Sequence, residues 1–308
     1  MKLPDQTRGA LFILLAQIVW GVAGPLVKIA LLDIPPGSLL FLRSLVTTII
    51  LFPIYEFILL PKRPPITTQD KKFFFLAGFV GVFGNIALYF TGQRLTTVSD
   101  AWIITSSCTL IIIAVSYLFF NERLSKTVYL GVALAFLGTI VIIGTPLFRT
   151  GSGSFTGNLL MLAATIANVI FYFSSKKLVG KFSALTITFY LFLITVIASA
   201  PLFVWEFVQN PFWMVSVLPA RWLIVIYLAL GSSIVSYAFS NKGLKILSPS
   251  LASTIGYTST VIAVGLGIVF LHDPLTKSFI LGTALVIVGL FLAETRHPGH
   301  PLHKLRRK

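Results

Sequence analysis

Three charged residues stand inside stretches that are otherwise apolar: Lys28, Arg43 and Asp100. A charge held in hydrocarbon is costly and is usually kept for function. Helical rise places all three within roughly 6–9 Å of the same boundary of their apolar segments. Two readings follow. They form a charge cluster, either part of an outer gate or a seat for a substrate carboxylate; or the two cations snorkel to the surface while Asp100 faces water. Deeper in the segments lies a second set able to bind rather than react: Gln17, Trp20, Asn85, Tyr89, Trp102, Thr105, Asn168, Tyr172, Tyr237 and Tyr257. Gln17 and Trp20 are three residues apart and share a helix face, as do Thr165, Asn168 and Tyr172. Amides, hydroxyls and rings on facing helices suit a small neutral or zwitterionic organic molecule with an apolar part. Small and hydroxyl residues also pack helices closely in lipid, so each Ser or Thr has a structural reading beside the functional one.

Reaction chemistry finds no support. The chain has no metalloprotease HExxH, no nucleophile-elbow GxSxG, no phosphate-binding loop and no pair of carboxylates at mid-segment depth. No enzyme, cofactor or metal site is expected. His297, His300 and His303 lie among Pro298, Pro301 and the basic run Lys304–Lys308, which reads as a flexible tail at a lipid surface. Cys108 is the single cysteine and reads as packing.

The elements that must position these residues follow from composition. Of 308 residues 56% are hydrophobic and 11% charged, with mean hydropathy +0.93. A water-soluble chain could not bury that surface, so the solvent is lipid. Ten apolar segments are expected to span, at about 9–32, 37–59, 72–93, 96–120, 126–146, 157–179, 184–207, 221–241, 248–271 and 277–295. The first has too long an apolar core for a cleaved signal peptide. Continuous apolar runs, with no strand-like alternation, make the fold class all-α integral membrane. With the N-terminus placed in the cytoplasm, 18 of the 24 Lys and Arg fall inside and four outside. The net charge of +15 is therefore topological, and a nucleic-acid partner is excluded.

The chain repeats itself. Residues 119–138 return 151 positions later as residues 270–289, with Phe119, Leu124, Lys126, Leu130, Gly131, Ala133, Leu134 and Gly138 matched by identical residues. Gly9, Ala16 and Lys28 recur as Gly157, Ala164 and Lys176 at an offset of 148, and Gly92 and Ala101 recur as Gly243 and Ala252 at 151. Five segments per half is an odd number, so the halves enter the membrane in opposite senses. Such inverted repeats mark secondary transporters, with the substrate met near the midplane between them. The repeats span 1–146 and 157–295, with an outer linker at 147–156 and a basic cytoplasmic tail at 296–308. The glycine pairs 131/138 and 282/289 mark close helix seams. Ser125 and Thr276 stand at N-cap positions, with Glu122 and Asp273 expected to place negative charge at those same helix starts.

Trp20-Gly21, Lys28, Pro35-Pro36, Arg43, the turn Asn121–Ser125, Gly131 and Gly138 together resemble the EamA-type branch of the drug/metabolite transporter superfamily. The resemblance runs over residues 9–295. It implies two inverted five-helix repeats, both termini in the cytoplasm, multi-pass insertion in the cell inner (plasma) membrane, and export or exchange of a small organic metabolite such as an amino acid. The chain departs from the pattern at Thr109 and Thr260, where proline is frequent, at Asn168-Val169, where the Trp-Gly pair would recur, and at Leu191, the counterpart of Arg43. With no mid-segment carboxylate to carry a proton, a uniporter or exchanger is expected. A lipid or lipid-sugar flippase and a non-transporting receptor or scaffold are the competing classes. The partners expected are a small-molecule substrate and membrane lipid.

Overall fold

A computed structural model of the chain describes residues 4–112, 115, 126–144 and 154–295. Among these residues the structure is helical throughout and has no strand. Lipid imposes this, because every backbone polar group must find a partner within its own segment. In chain order the helices are α1 (Asp5–Ala30), α2 (Pro36–Leu59), α3 (Thr68–Leu95), α4 (Val98–Ile112), α5 (Lys126–Gly144), α6 (Phe155–Leu178), α7 (Ala184–Gln209), α8 (Pro219–Ile246), α9 and α10 (Lys277–Thr295). α9 comes in two pieces, Pro249–Ile255 and Tyr257–Leu271. Six helices, α1–α3 and α6–α8, are long and apolar enough to cross a bilayer; α4, α5, α9 and α10 carry shorter apolar stretches. Residues 113, 114 and 116–120 at the end of the expected fourth segment, the turn Asn121–Ser125 with Glu122, most of the 147–156 linker and the tail from 296 lie outside the described residues.

Local chemistry sets the helix starts. Pro36 opens α2, where a missing N–H costs nothing. Thr67 and Asp70 form a reciprocal capping box at α3. Thr97, Ser154 and Ser183 cap α4, α6 and α7 through their hydroxyls. Thr276 Oγ1 accepts from Phe279 N at 3.0 Å, as its N-cap position predicts. Asp273 behaves otherwise. Its carboxylate does not serve α10, which follows it, but accepts from Ser99 N and Ser99 Oγ, both at 2.7 Å, at the start of α4 in the other half. Glu206 does the same at α2, taking Gly37 N at 2.9 Å and Ser38 N at 2.6 Å. Both carboxylates meet positive helix ends across the repeat boundary.

Packing between the halves is reciprocal. α1 lies against α8 and α9, while α6 lies against α3 and α4; α2 pairs with α7, α4 with α9, and α5 with α10. If one half's first helix packs on the other's third, the second half returns the contact, as an internal two-fold requires. The α5–α10 seam is the tightest. A Cβ on Gly138 would lie 2.5 Å from Gly282 O, and one on Gly289 would overlap Gly131 O. The glycine pairs spaced at seven therefore do what the sequence predicts, bringing two backbones together.

The two-fold extends to irregular backbone. Wide i→i−5 turns occupy Leu76–Gly84 in α3 and Leu228–Val235 in α8, at matching positions of the repeat. α4 and α9 are each interrupted, by a tight turn at Ser107 and at Gly256, with Ser107 N on Ile104 O at 3.0 Å and Gly256 N on Ser253 O at 2.9 Å. Backbone of this kind at membrane depth is tolerated where it borders a cavity.

Candidate functional site

The irregular stretches of α4, α8 and α9, with Asn85 just after the wide turns of α3, meet at a cavity of about 140 Å³ between the halves. Seven helices contribute its wall: Gln17, Trp20, Gly24 and Val27 of α1; Arg43 of α2; Asn85, Ile86, Tyr89 and Phe90 of α3; Trp102, Thr105, Ser106, Cys108 and Thr109 of α4; Asn168, Phe171 and Tyr172 of α6; Ser232 and Tyr237 of α8; Ser253, Gly256, Tyr257, Ser259 and Thr260 of α9. The described residues of α5, α7 and α10 supply none of it. All ten residues picked from the sequence as substrate contacts stand on this wall.

Several are held across the repeat boundary. Trp20 Nε1 donates to Ser232 O at 2.9 Å, an acceptor within the wide turns of α8, and its ring meets Tyr237 edge-on at 5.3 Å. Gln17 Oε1 accepts from Ser259 Oγ at 2.7 Å, tying α1 to the break in α9. Asn85 Nδ2 donates to Ala164 O at 2.7 Å, joining α3 to α6. Thr109 Oγ1 donates to Ser253 O at 3.1 Å, and Asn168 Nδ2 lies 3.8 Å from Cys108 Sγ. Cys108, read from the sequence as packing alone, is thus buried but on the wall. Thr105 is on the wall with its hydroxyl donated to Ala101 O of its own helix at 2.8 Å, which leaves it accepting only. Its role matches the helix-packing reading of the hydroxyls.

Tyr237 sits in an aromatic nest, with Phe171 and Phe192 at 5.2 and 5.1 Å. Tyr89 meets Trp102 edge-on at 6.3 Å. Trp102 lies flat against Gly24, where a side-chain carbon would overlap the indole nitrogen. Among the described residues neither Tyr89 Oη nor Trp102 Nε1 has a partner in hydrogen-bond geometry. Buried polar atoms left in that state on a cavity wall are available to a guest.

The three charged residues separate. Lys28 Nζ donates to Gln93 O at 2.7 Å and Thr96 O at 2.6 Å, closing the C-terminal end of α3. Its repeat partner Lys176 donates to Leu244 O at 2.6 Å and Leu247 O at 2.7 Å, closing α8 in the same way. The lysines are therefore a matched pair of helix staples, and neither lines the cavity. Asp100 lies in the first turn of α4, its N–H on Thr97 Oγ1 at 3.0 Å, and is also off the wall. Arg43 alone lines the cavity. The expected three-residue cluster is thus two helix-end residues and one cavity residue. Sequence reasoning left out Phe90, Phe171, Ser253 and Gly256 as lining. Gly256 was open to detection as the counterpart of the Thr105–Ser107 region of α4; the rings looked like any other buried Phe.

Residues 7–144 and 155–295 match the EamA-like transporter family, once per half. The uncharacterized transporter YetK of Bacillus subtilis is 27% identical over 256 residues, 82% of this chain and 76% of its own length. The pseudopaline exporter CntI of Pseudomonas aeruginosa is 23% identical over 297 residues, 94% of this chain and 96% of its own. A solved crystal structure superposes with a TM-score of 0.63 at 21% identity, covering 93% of this chain and 96% of that one, a likeness of fold.

Proposed function

The chain belongs to the EamA-like transporter family, a multi-pass membrane transporter and not an enzyme, and from that premise we propose that it exports or exchanges a small organic metabolite by alternating access around the cavity between its halves. All ten helices span in this reading. The two repeats run in opposite senses, with both termini in the cytoplasm and the chain in the cytoplasmic membrane, as the bias of Lys and Arg requires. The observation that carries the proposal is the shared cavity. It is walled by both repeats, bordered by the irregular backbone of α4, α8 and α9, and lined by aromatic rings and amides. A site at a repeat interface can be exposed to either side as the halves rock. At about 140 Å³ it is smaller than the ~300–1,000 Å³ of drug-sized clefts, which favours a metabolite over a lipid-linked sugar. The pseudopaline exporter among the relatives supports efflux as the direction.

Among the described residues no carboxylate lines the cavity, which favours uniport or exchange over proton coupling. The test is counterflow in proteoliposomes loaded with pooled amino acids, organic acids, sugars and nucleosides. Labelled tracer of at least one pool is expected to accumulate without a pH gradient and not in protein-free vesicles. Flux that strictly requires an imposed pH gradient would overturn the coupling, and no flux from any pool would overturn transport.

A further inference from the structure

Arg43 is 3% exposed and lies on the cavity wall, yet no carboxylate comes within 4 Å of it among the described residues. Its Nε donates to Ser233 Oγ at 3.1 Å, and its Nη2 to Ser233 Oγ at 2.8 Å and Ser232 Oγ at 3.4 Å. Nη1 has no acceptor among the described residues. Its Cζ lies over the rings of Phe90 and Phe192, 5.7 and 5.9 Å from their centroids, within cation–π distance. Among the described residues the cavity lining includes no Asp, Glu, Lys or His, so Arg43 is the one fixed charge they bring to the space. Two hydroxyls and two ring faces supply no counter-charge, and a buried charge without one is expensive.

We propose that Arg43 binds the carboxylate of the transported substrate, and that the substrate is a small organic acid with an apolar or aromatic body. This rests on reading the cavity as the transport site. A guanidinium anchored on one edge keeps its other N–H groups in a plane that matches a carboxylate. Serine hydroxyls fix that plane, and the rings of Trp20, Phe90 and Tyr237 provide the apolar enclosure. The wall offers no anion for an ammonium group, so an organic acid is favoured over the amino acid of the same skeleton. The repeat confirms how local the charge is: the counterpart of Arg43 is Leu191, and those of Ser232 and Ser233 are Gly81 and Val82.

The experiment uses the full chain in nanodiscs. Thermal stabilisation is titrated with 3-phenylpropionate, 4-methylpentanoate, their amides, and phenylalanine and leucine. The acids are expected to bind at least about tenfold more tightly than their amides, since a charge-assisted pair is replaced by a neutral one. Arg43→Leu should remove that difference and Arg43→Lys should keep part of it. Leu191 occupies the equivalent buried position, so Arg43→Leu is expected to fold; should it not, the comparison of acids with amides on the unaltered chain still decides. Equal binding of acids and amides, or an acid preference that survives Arg43→Leu, overturns the assignment and leaves transport standing. Acids that bind through Arg43 but show no counterflow support the assignment and overturn transport through this site.

Discussion

Lys28 and Lys176 do the same work at opposite ends of the two repeats, each reaching the last carbonyls of the third helix in its own half. Arg43 and Leu191 also correspond, yet one is a cavity cation and the other a fully buried aliphatic. The first pair belongs to the frame and the second to the cavity. Frame residues recur because each half solves the same packing problem. Cavity residues diverge because one guest needs one arrangement, and a two-fold copy of it would be a second, unused site.

Breaking that distinction has graded consequences. Leu191→Arg carries the cavity's chemistry into the half that lacks its hydroxyl partners. A buried guanidinium without compensation should cost about 3–5 kcal/mol, seen as loss of monodisperse protein on size exclusion. Retained stability would mean that the second half has its own polar pocket. Lys28→Met and Lys176→Met should each remove charge-assisted bonds worth about 1.5–3 kcal/mol and lower the melting temperature alike. Unequal losses would show that the lysines are not equivalent, and an altered substrate affinity only for Lys28→Met would return it to the gate. Gly289→Ala forces a side chain onto Gly131 O and Ala135. Overpacking of about 1–3 kcal/mol is expected, with substrate affinity in the surviving protein unchanged, because α5 and α10 are off the cavity. The smallest effect belongs to Thr105→Val. Its hydroxyl serves its own helix, so flux should fall less than twofold and stability by under about 1 kcal/mol. A larger loss of flux would assign Thr105 to the substrate.

The cavity wall was legible where residue type and depth agree. An amide or a Trp in mid-segment of a lipid-solvated helix has few places to go, and Gln17, Trp20, Asn85 and Asn168 all went inward. Depth alone misled for the charges. Lys28, Arg43 and Asp100 share a level, but helix rotation and neighbours sent them to three different environments. Asp273 shows the same limit. Nearness in sequence pointed to α10, whereas its carboxylate met the start of α4 from the other half, 174 residues away.

By itself the sequence determined the solvent, the helical class, the division into two related halves and the glycine seam between α5 and α10. These follow from composition and from spacing along one chain, which act locally or repeat. Only the tertiary structure decided which helices wall the cavity, that the lysines staple helix ends, and that the Arg43 guanidinium stands on the wall of the space between the halves. Those outcomes depend on how each helix is rotated against partners far away in sequence, and packing across the internal two-fold sets that rotation.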